Sequence, residues 1–254
     1  MPIFTTSLEN QTQSSASGVI GYPSIGSIKQ FIQISDEFNR EVVNPTNAIA
    51  MYTNTGVGTP TFTITNNNIY TISTTAVLND DASSRVSGTA FPRIGLSVDS
   101  RSSLELDIIF TLSQTATTKA FFGLILQNTA LTGLPTTARH LGCYYDTGVS
   151  NNIFLSSANG TTQVTTDVGV AATTNRYKLN IVWNGDDSAV ISLYSVSGIG
   201  QSTTFPTLLS SQTVTSIAAT ANFFGGYTLH FYVQSLQALT AKSITLDEWR
   251  IKST

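Results

Sequence analysis

Apolar side chains return at every second position over long stretches of this chain. Leu104, Leu106, Ile108, Phe110 and Leu112 alternate with Glu105, Asp107 and Thr111, and Tyr177, Leu179, Ile181 and Trp183 alternate with Arg176, Lys178 and Asn180. A period of two puts the apolar members on one side of a pleated strand, so each segment is driven to bury one face and wet the other. Thr, Val, Ile, Tyr and Phe dominate these segments, and their branched or flat side chains suit a half-buried sheet surface. No segment holds a helical apolar stripe for more than about two turns, and a single turn of helix is expected over residues 44–51. The pattern predicts an all-β sandwich or barrel.

Turn residues set the strand boundaries. Asn66-Asn67-Asn68 joins the alternation at 61–65 to that at 69–73, and Asn tolerates the left-handed backbone of a tight hairpin. Asn184-Gly185-Asp186-Asp187 predicts a second hairpin that returns the chain into a strand over 189–196. Further strands are expected at 28–34, 208–213, 228–236 and 244–251. With 254 residues, 41% of them apolar, the chain can bury one large β core, and neither a fixed-period repeat nor a composition break after residue 35 divides it. Residues 28–254 therefore read as one sandwich domain. Ahead of it, residues 1–27 include a polar run, 5–17, with no hydrophobic period. Ordering such a run costs about 1–2 kcal/mol per residue, which its own side chains do not return. The segment is expected to be an assembly arm held against a neighbouring subunit. The first thirty residues also lack the basic-then-apolar pattern of a secretory signal, which argues against a cleaved leader.

Composition removes several function classes. Lys plus Arg number 12 against 15 Asp plus Glu, a net charge of −3, so no basic excess exists to neutralise phosphates and a nucleic-acid partner is not expected. No run approaches the roughly 18 apolar residues of a membrane helix, so no membrane partner is expected either. Cys143 is the single cysteine and cannot form an intrachain disulfide; with no cation near it in sequence, it reads as a small buried packing residue. His140 and His230 are the only histidines, too few for a Cys/His metal cluster. Gly-x-Ser-x-Gly is absent, and His230, flanked by Leu229 and Phe231, falls on the face opposite to theirs, so both histidines read as structural.

A family resemblance rests on several runs of residues. Asp36-Glu37-Phe38-Asn39 follows a strand, Phe121-Phe122-Gly123-Leu124-Ile125-Leu126 and Gly142-Cys143-Tyr144-Tyr145 lie centrally, the run 175–185 contains Tyr177 and Trp183, and the run 244–251 contains Asp247 and Trp249. Together these resemble the concanavalin A-like (laminin-G-like) jelly-roll β-sandwiches of antiparallel strands, and more narrowly those in virion structural proteins of tailed bacteriophages. The resemblance spans residues 28–254. It implies that the first and last strands share a sheet, with the Asp36 region beside Asp247 and Trp249. Lectins, glycan hydrolases, adhesion modules and inert structural domains all use this fold, so function has to be argued from sites.

Glycoside hydrolysis needs paired carboxylates about 5 Å or about 6.5–9.5 Å apart. One concanavalin-like glucanase family draws them from a Glu-x-Asp-x-x-Glu strand motif. Here Glu105 and Asp107 match its first two acids, but Ile109 and Phe110 stand where the last Glu belongs. The acids then read as two solvent-facing carboxylates on an outer face, and no catalytic residue is expected. The resemblance implies a candidate calcium ion, for which Asn79-Asp80-Asp81 and Asn184-Gly185-Asp186-Asp187 are the acidic loop clusters; neither has the spacing of a dedicated calcium loop. No other cofactor is expected. Tyr144, Tyr145, Asn151 and Asn152, or Phe223, Phe224 and Tyr227, are candidate contacts to a glycan or another subunit, with core or interface packing the stronger reading for these rings.

The expected function is a non-enzymatic virion structural protein, a capsid decoration protein, head fibre or tail appendage. It would be located in the virion, self-associate as a homo-oligomer and dock on other virion proteins through its arm. The alternative is a carbohydrate-binding module or adhesin that recognises host-surface glycans.

Overall fold

The computed structural model describes residues 3–7, 31–36, 52–64, 69–86, 104–126, 130–184, 188–197, 204–215 and 227–253. Along the chain run β1 (Ile3–Ser7), β2 (Phe31–Asp36), β3 (Tyr52–Thr55), β4 (Thr61–Ile64), β5 (Tyr70–Ser73), β6 (Asp81–Val86), β7 (Leu104–Leu112) and β8 (Thr118–Ile125). They are followed by β9 (His140–Asp146), β10 (Asn152–Ala158), β11 (Gln163–Ala171), β12 (Arg176–Trp183), β13 (Ser188–Ser197), β14 (Thr204–Thr215), β15 (Thr228–Ser235) and β16 (Ser243–Ser253). Two antiparallel sheets result. A nine-stranded sheet runs β1-β2-β16-β7-β12-β13-β14, with the β4–β5 hairpin joined to it through β5 and β16, and a seven-stranded sheet runs β11-β10-β9-β8-β15-β6-β3.

Alternation becomes layering. Leu106, Ile108, Phe110 and Leu112 of β7 and Tyr177, Leu179, Ile181 and Trp183 of β12 point inward, against Phe122, Leu124, Leu141, Cys143, Leu155 and Phe231 of the other sheet. The rings of Phe110 and Phe122 stack across the layers at 3.8 Å, and Trp249 Nε1 donates to the Tyr52 hydroxyl at 2.7 Å. In β16 the register shifts between Leu246 and Glu248, a bulge that lets both Leu246 and Trp249 face the core although they are an odd number of residues apart.

The expected architecture holds. The hairpin from β4 to β5 pairs Ile64 with Tyr70, and that from β12 to β13 pairs Trp183 with Ala189. The strand expected at 28–34 and the last strand do meet, as β2 and β16, with Asp36 opposite Trp249. The strands expected at 208–213 and 244–251 extend further, as β14 and β16. Residues 3–7 of the expected arm pair antiparallel with β2, while residues 8–30 and the helical turn expected over 44–51 lie outside the described residues.

Candidate functional site

On the seven-stranded sheet, strand register arranges the side chains that face away from the core into rows. One row runs Asp81, Gln234, Lys119, Asp146, and the next runs Ser83, Tyr232, Phe121, Tyr144, Phe154, Asp167. A third passes from Arg85 and His230 through Gly123 and Gly142 to Ser156. Residues far apart in sequence thereby place Tyr232, Phe121, Tyr144 and Phe154 side by side. The segment 130–139 covers part of this face: Leu131 N–H donates to Ser83 Oγ at 3.2 Å, and Leu131, Leu134 and Ala138 pack with Phe121, Ile125, Tyr232 and Tyr144. Phe121 and Tyr232 are buried beneath it, whereas Tyr144 and Phe154 remain half-buried.

Those two rings stack on each other with centroids 5.1 Å apart and planes 11° from parallel. Polar pairs stand beside them. Lys119 Nζ lies 3.4 Å from Asp146 Oδ2, whose other oxygen accepts the Gly148 N–H at 2.8 Å. Asn152 Nδ2 donates to both carboxylate oxygens of Asp167, at 2.9 and 3.1 Å, and the Gly169 N–H donates to Asp167 Oδ1 at 2.7 Å. Burial, followed by the charges of Asp146 and Asp167, pushes the Tyr144 pKa up despite a hydrogen bond with Thr165, so its hydroxyl keeps its proton. The strip thus offers flat apolar surface bordered by carboxylates, an ammonium and an amide.

Of the residues singled out from sequence, Tyr144 belongs to this strip and Asn151 is exposed next to it, its carbonyl accepting the Ala172 N–H at 2.8 Å. Tyr145 does not belong: alternation turns it inward, where it is 1% exposed and its hydroxyl donates to the Thr115 carbonyl. Tyr227 is likewise buried, edge-on to Trp183, so core packing is the correct reading for both rings. Phe223 and Phe224 lie outside the described residues. Asn152, a sequence candidate beside Asn151, belongs to the strip as well, whereas Phe154, Lys119, Asp146 and Asp167 were not singled out, because only strand register brings them together.

The acids of β7 correct one expectation. Asp107 is not solvent-facing: it is buried on the outer face of the nine-stranded sheet, 2.9 Å from Lys178 Nζ and 2.6 Å from Arg250 Nη2, and accepts from Asn180 Nδ2 at 2.8 Å. Glu105 accepts from the same Asn180 at 3.0 Å and pairs with Lys252 at 2.6 Å. Burial opposes the charge on Asp107, but the hydrogen bonds from Asn180, Lys178 and Arg250 outweigh it and hold the carboxyl below its ordinary range. A carboxylate so held is a poor general acid near neutral pH.

His140 is buried, with Nδ1 2.7 Å from the Ala138 carbonyl oxygen and Nε2 2.7 Å from Ser156 Oγ. Ser156 is buried too, so this contact is a structural tie without substrate access. His230 faces opposite to Leu229 and Phe231, with Nε2 3.1 Å from Thr228 Oγ1. Burial pushes the Cys143 thiol pKa up, which leaves it inert. Among the described residues no group of three or more His, Cys, Asp or Glu converges, and 185–187 of the second acidic loop lie outside them.

Neither a protein-family model nor a curated protein matches the chain. Solved structures do. A protein of unknown function from Shewanella oneidensis MR-1 aligns at 16% identity over 88% of this chain and 86% of its own, with a TM-score of 0.55. Peanut lectin aligns at 9% identity over 89% and 98%, with a TM-score of 0.52. The Emp46p carbohydrate recognition domain in a metal-free form aligns at 9% identity over 85% and 94%, with a TM-score of 0.56, and its potassium-bound form aligns similarly. The chain therefore has the lectin-like, concanavalin A-like jelly-roll fold.

Proposed function

We propose that this protein is a non-enzymatic carbohydrate-binding module that recognises glycans through the strip around Tyr144 and Phe154. One observation carries the reading: two half-buried rings stand on the sheet face beside the segment that buries Phe121 and Tyr232, flanked by the Lys119–Asp146 and Asn152–Asp167 pairs. Ring surface suits the C–H face of a pyranose, and the paired charges and amide suit its hydroxyl rim. The fold shared with peanut lectin and the Emp46p domain supports the reading at the level of architecture. Its non-enzymatic part is supported by chemistry: Asp107 is tied to two cations, and the Ser156–His140 contact is buried. A shallow strip of this kind binds weakly per site and gains from multivalency. On a glycan array, the protein should bind a defined subset of sugars, and Tyr144→Ala and Phe154→Ala should each weaken that binding at least about tenfold. A silent array, or undiminished binding by both variants, would refute the proposal.

A second reading is assembly into a tailed-phage virion as a decoration protein, head fibre or tail appendage, with residues 1–27 docking on neighbouring virion proteins. The observation favouring it is the sheet edge. β14 is a twelve-residue edge strand with Leu208 exposed, and β1, from the expected arm, is added at the opposite edge. Open edges invite strand addition from a second chain. Light scattering tests this reading: an oligomer lost on removing residues 1–27 supports it, and a monomeric full chain sinks it.

A further inference from the structure

Two acids border the strip of rings, and their charges are balanced unequally. Asp146 is met by Lys119, whose Nζ lies 3.4 Å from Oδ2. Asp167 stands directly across from Phe154 in the β10–β11 ladder, where side chains on one face have Cβ atoms about 4.5–5.5 Å apart. It is exposed, and among the described residues no Lys or Arg forms an ion pair with it. Neutral donors orient it instead: the Asn152 amide reaches both carboxylate oxygens, and the Gly169 N–H reaches Oδ1. These bonds use both lone pairs of Oδ1 but only one of Oδ2. Asp167 is thus held in position with its charge uncompensated and an acceptor site left on Oδ2. Its row adds no cation either, since Ser83, Tyr232, Phe121, Tyr144 and Phe154 are all uncharged. Burial and, after it, the charges of Asp146 and Asp167 raise the Tyr144 pKa, so the negative potential of both acids reaches the middle of the strip.

We propose that the strip selects glycans that carry free amines, with Asp167 as the specificity-determining residue that receives the sugar's ammonium group. This rests on the reading of the Tyr144–Phe154 strip as a glycan site. A pyranose hydroxyl can fill the same acceptor position, but a charge-assisted hydrogen bond is about twice as strong as a neutral one. N-acetylation replaces the ammonium by a neutral amide and removes that advantage. An acidic sugar is disfavoured for the opposite reason: its carboxylate would face Asp167, and the neighbouring cation, Lys119, is already engaged by Asp146. Because Asp167 is exposed, the attraction is screened by salt, with a Debye length of about 10 Å at 0.1 M and about 3 Å at 1 M. Stacking on the rings is not screened in this way, so salt should erode the preference before it erodes binding.

Isothermal titration calorimetry of the full chain with a chitosan tetramer, its fully N-acetylated counterpart and a galacturonate tetramer tests the proposal at about pH 6, where an amine of this kind is protonated. In dilute buffer the chitosan tetramer should bind about tenfold tighter than the acetylated one, and the galacturonate should give no binding. In about 1 M salt the preference should shrink to about twofold. Asp167→Asn removes the charge and should bring the ratio of the two affinities to about two or less; a ratio read within one protein is insensitive to any general loss of binding. Asn152→Lys, which sets a cation beside Asp167, should lower the ratio likewise. Equal affinities for the two tetramers, no binding of the chitosan tetramer, or a tenfold preference retained in Asp167→Asn would overturn the selectivity. Undiminished binding of both tetramers by Tyr144→Ala would instead place the sugars elsewhere, and the glycan-site reading would fall together with its selectivity.

Discussion

A single side chain, Asp107, ties together three strands of the nine-stranded sheet: its own β7, β12 through Lys178 and Asn180, and β16 through Arg250. Asp107→Asn keeps the shape but leaves two cations facing each other without their anion. Removing one partner of a fully buried pair costs about 3–5 kcal/mol. Arg250 is 35% exposed and rehydrates, so about 2–3 kcal/mol is expected here by urea denaturation at neutral pH. The pH dependence has a definite sign. Because the folded pKa lies below the ordinary 3.8, the contribution of Asp107 is complete above that value and is lost as pH falls through the folded pKa. The stability gap between the protein and Asp107→Asn should therefore be flat near neutrality and close in acid. Asp81, whose pKa is raised, acts oppositely and favours the folded state as pH falls through its folded value. A gap that widened in acid would contradict this account of the network.

Between β8 and β9 the limiting feature is close backbone approach, and it falls on a glycine pair. Gly123 and Gly142 face each other, and a Cβ on Gly142 would lie 2.3 Å from the Phe122 carbonyl oxygen and 3.0 Å from Phe121 Cζ. Gly142→Ala has no space to occupy without parting the two strands, so it should cost about 3 kcal/mol or more by chemical denaturation. It should also weaken glycan binding by displacing Phe121, the neighbour of Tyr144. Alanine at half-buried Gly133, where a Cβ meets nothing within 4 Å, is the control and should be near neutral. These elements also mark how far sequence reasoning reaches. Strand existence was legible wherever one face is buried, as in β7 and β12, because alternation and burial have the same cause. The inward face of Tyr145 and the outward face of Tyr144 follow from that alternation once one of them is anchored. The strip was not legible, since Phe154 meets Tyr144, and Lys119 meets Asp146, only through pairings that sequence spacing does not specify. The fate of Asp107 was hidden for the same reason: its cations come from β12 and β16, far along the chain.

Across the whole molecule, the last strand is the one that joins the nine-stranded sheet together. β16 pairs with β2 on one side, with β7 on the other, and with β5 near its beginning. Without it that sheet falls into three pieces, β1–β2, β4–β5 and β7–β12–β13–β14, with no ladder between them. β16 also contributes Ile244, Leu246, Trp249 and Ile251 to the core, and Trp249 Nε1 reaches the Tyr52 hydroxyl of the opposite sheet. Burying four such side chains is worth on the order of 6–12 kcal/mol before entropy, comparable to the net stability of a whole domain. Cooperative folding therefore has to wait for pairings between the two ends of the chain, and sheets closed by such non-local contacts fold in milliseconds to seconds. A chain ending at residue 242 should show no cooperative thermal transition and no near-ultraviolet circular dichroism from ordered aromatic rings. Trp249→Phe keeps most of the apolar volume and loses the hydrogen bond to Tyr52, so it should fold with a lowered midpoint. If the chain ending at 242 melted cooperatively instead, β16 would be an appendage of the sandwich and the closure described here would be wrong.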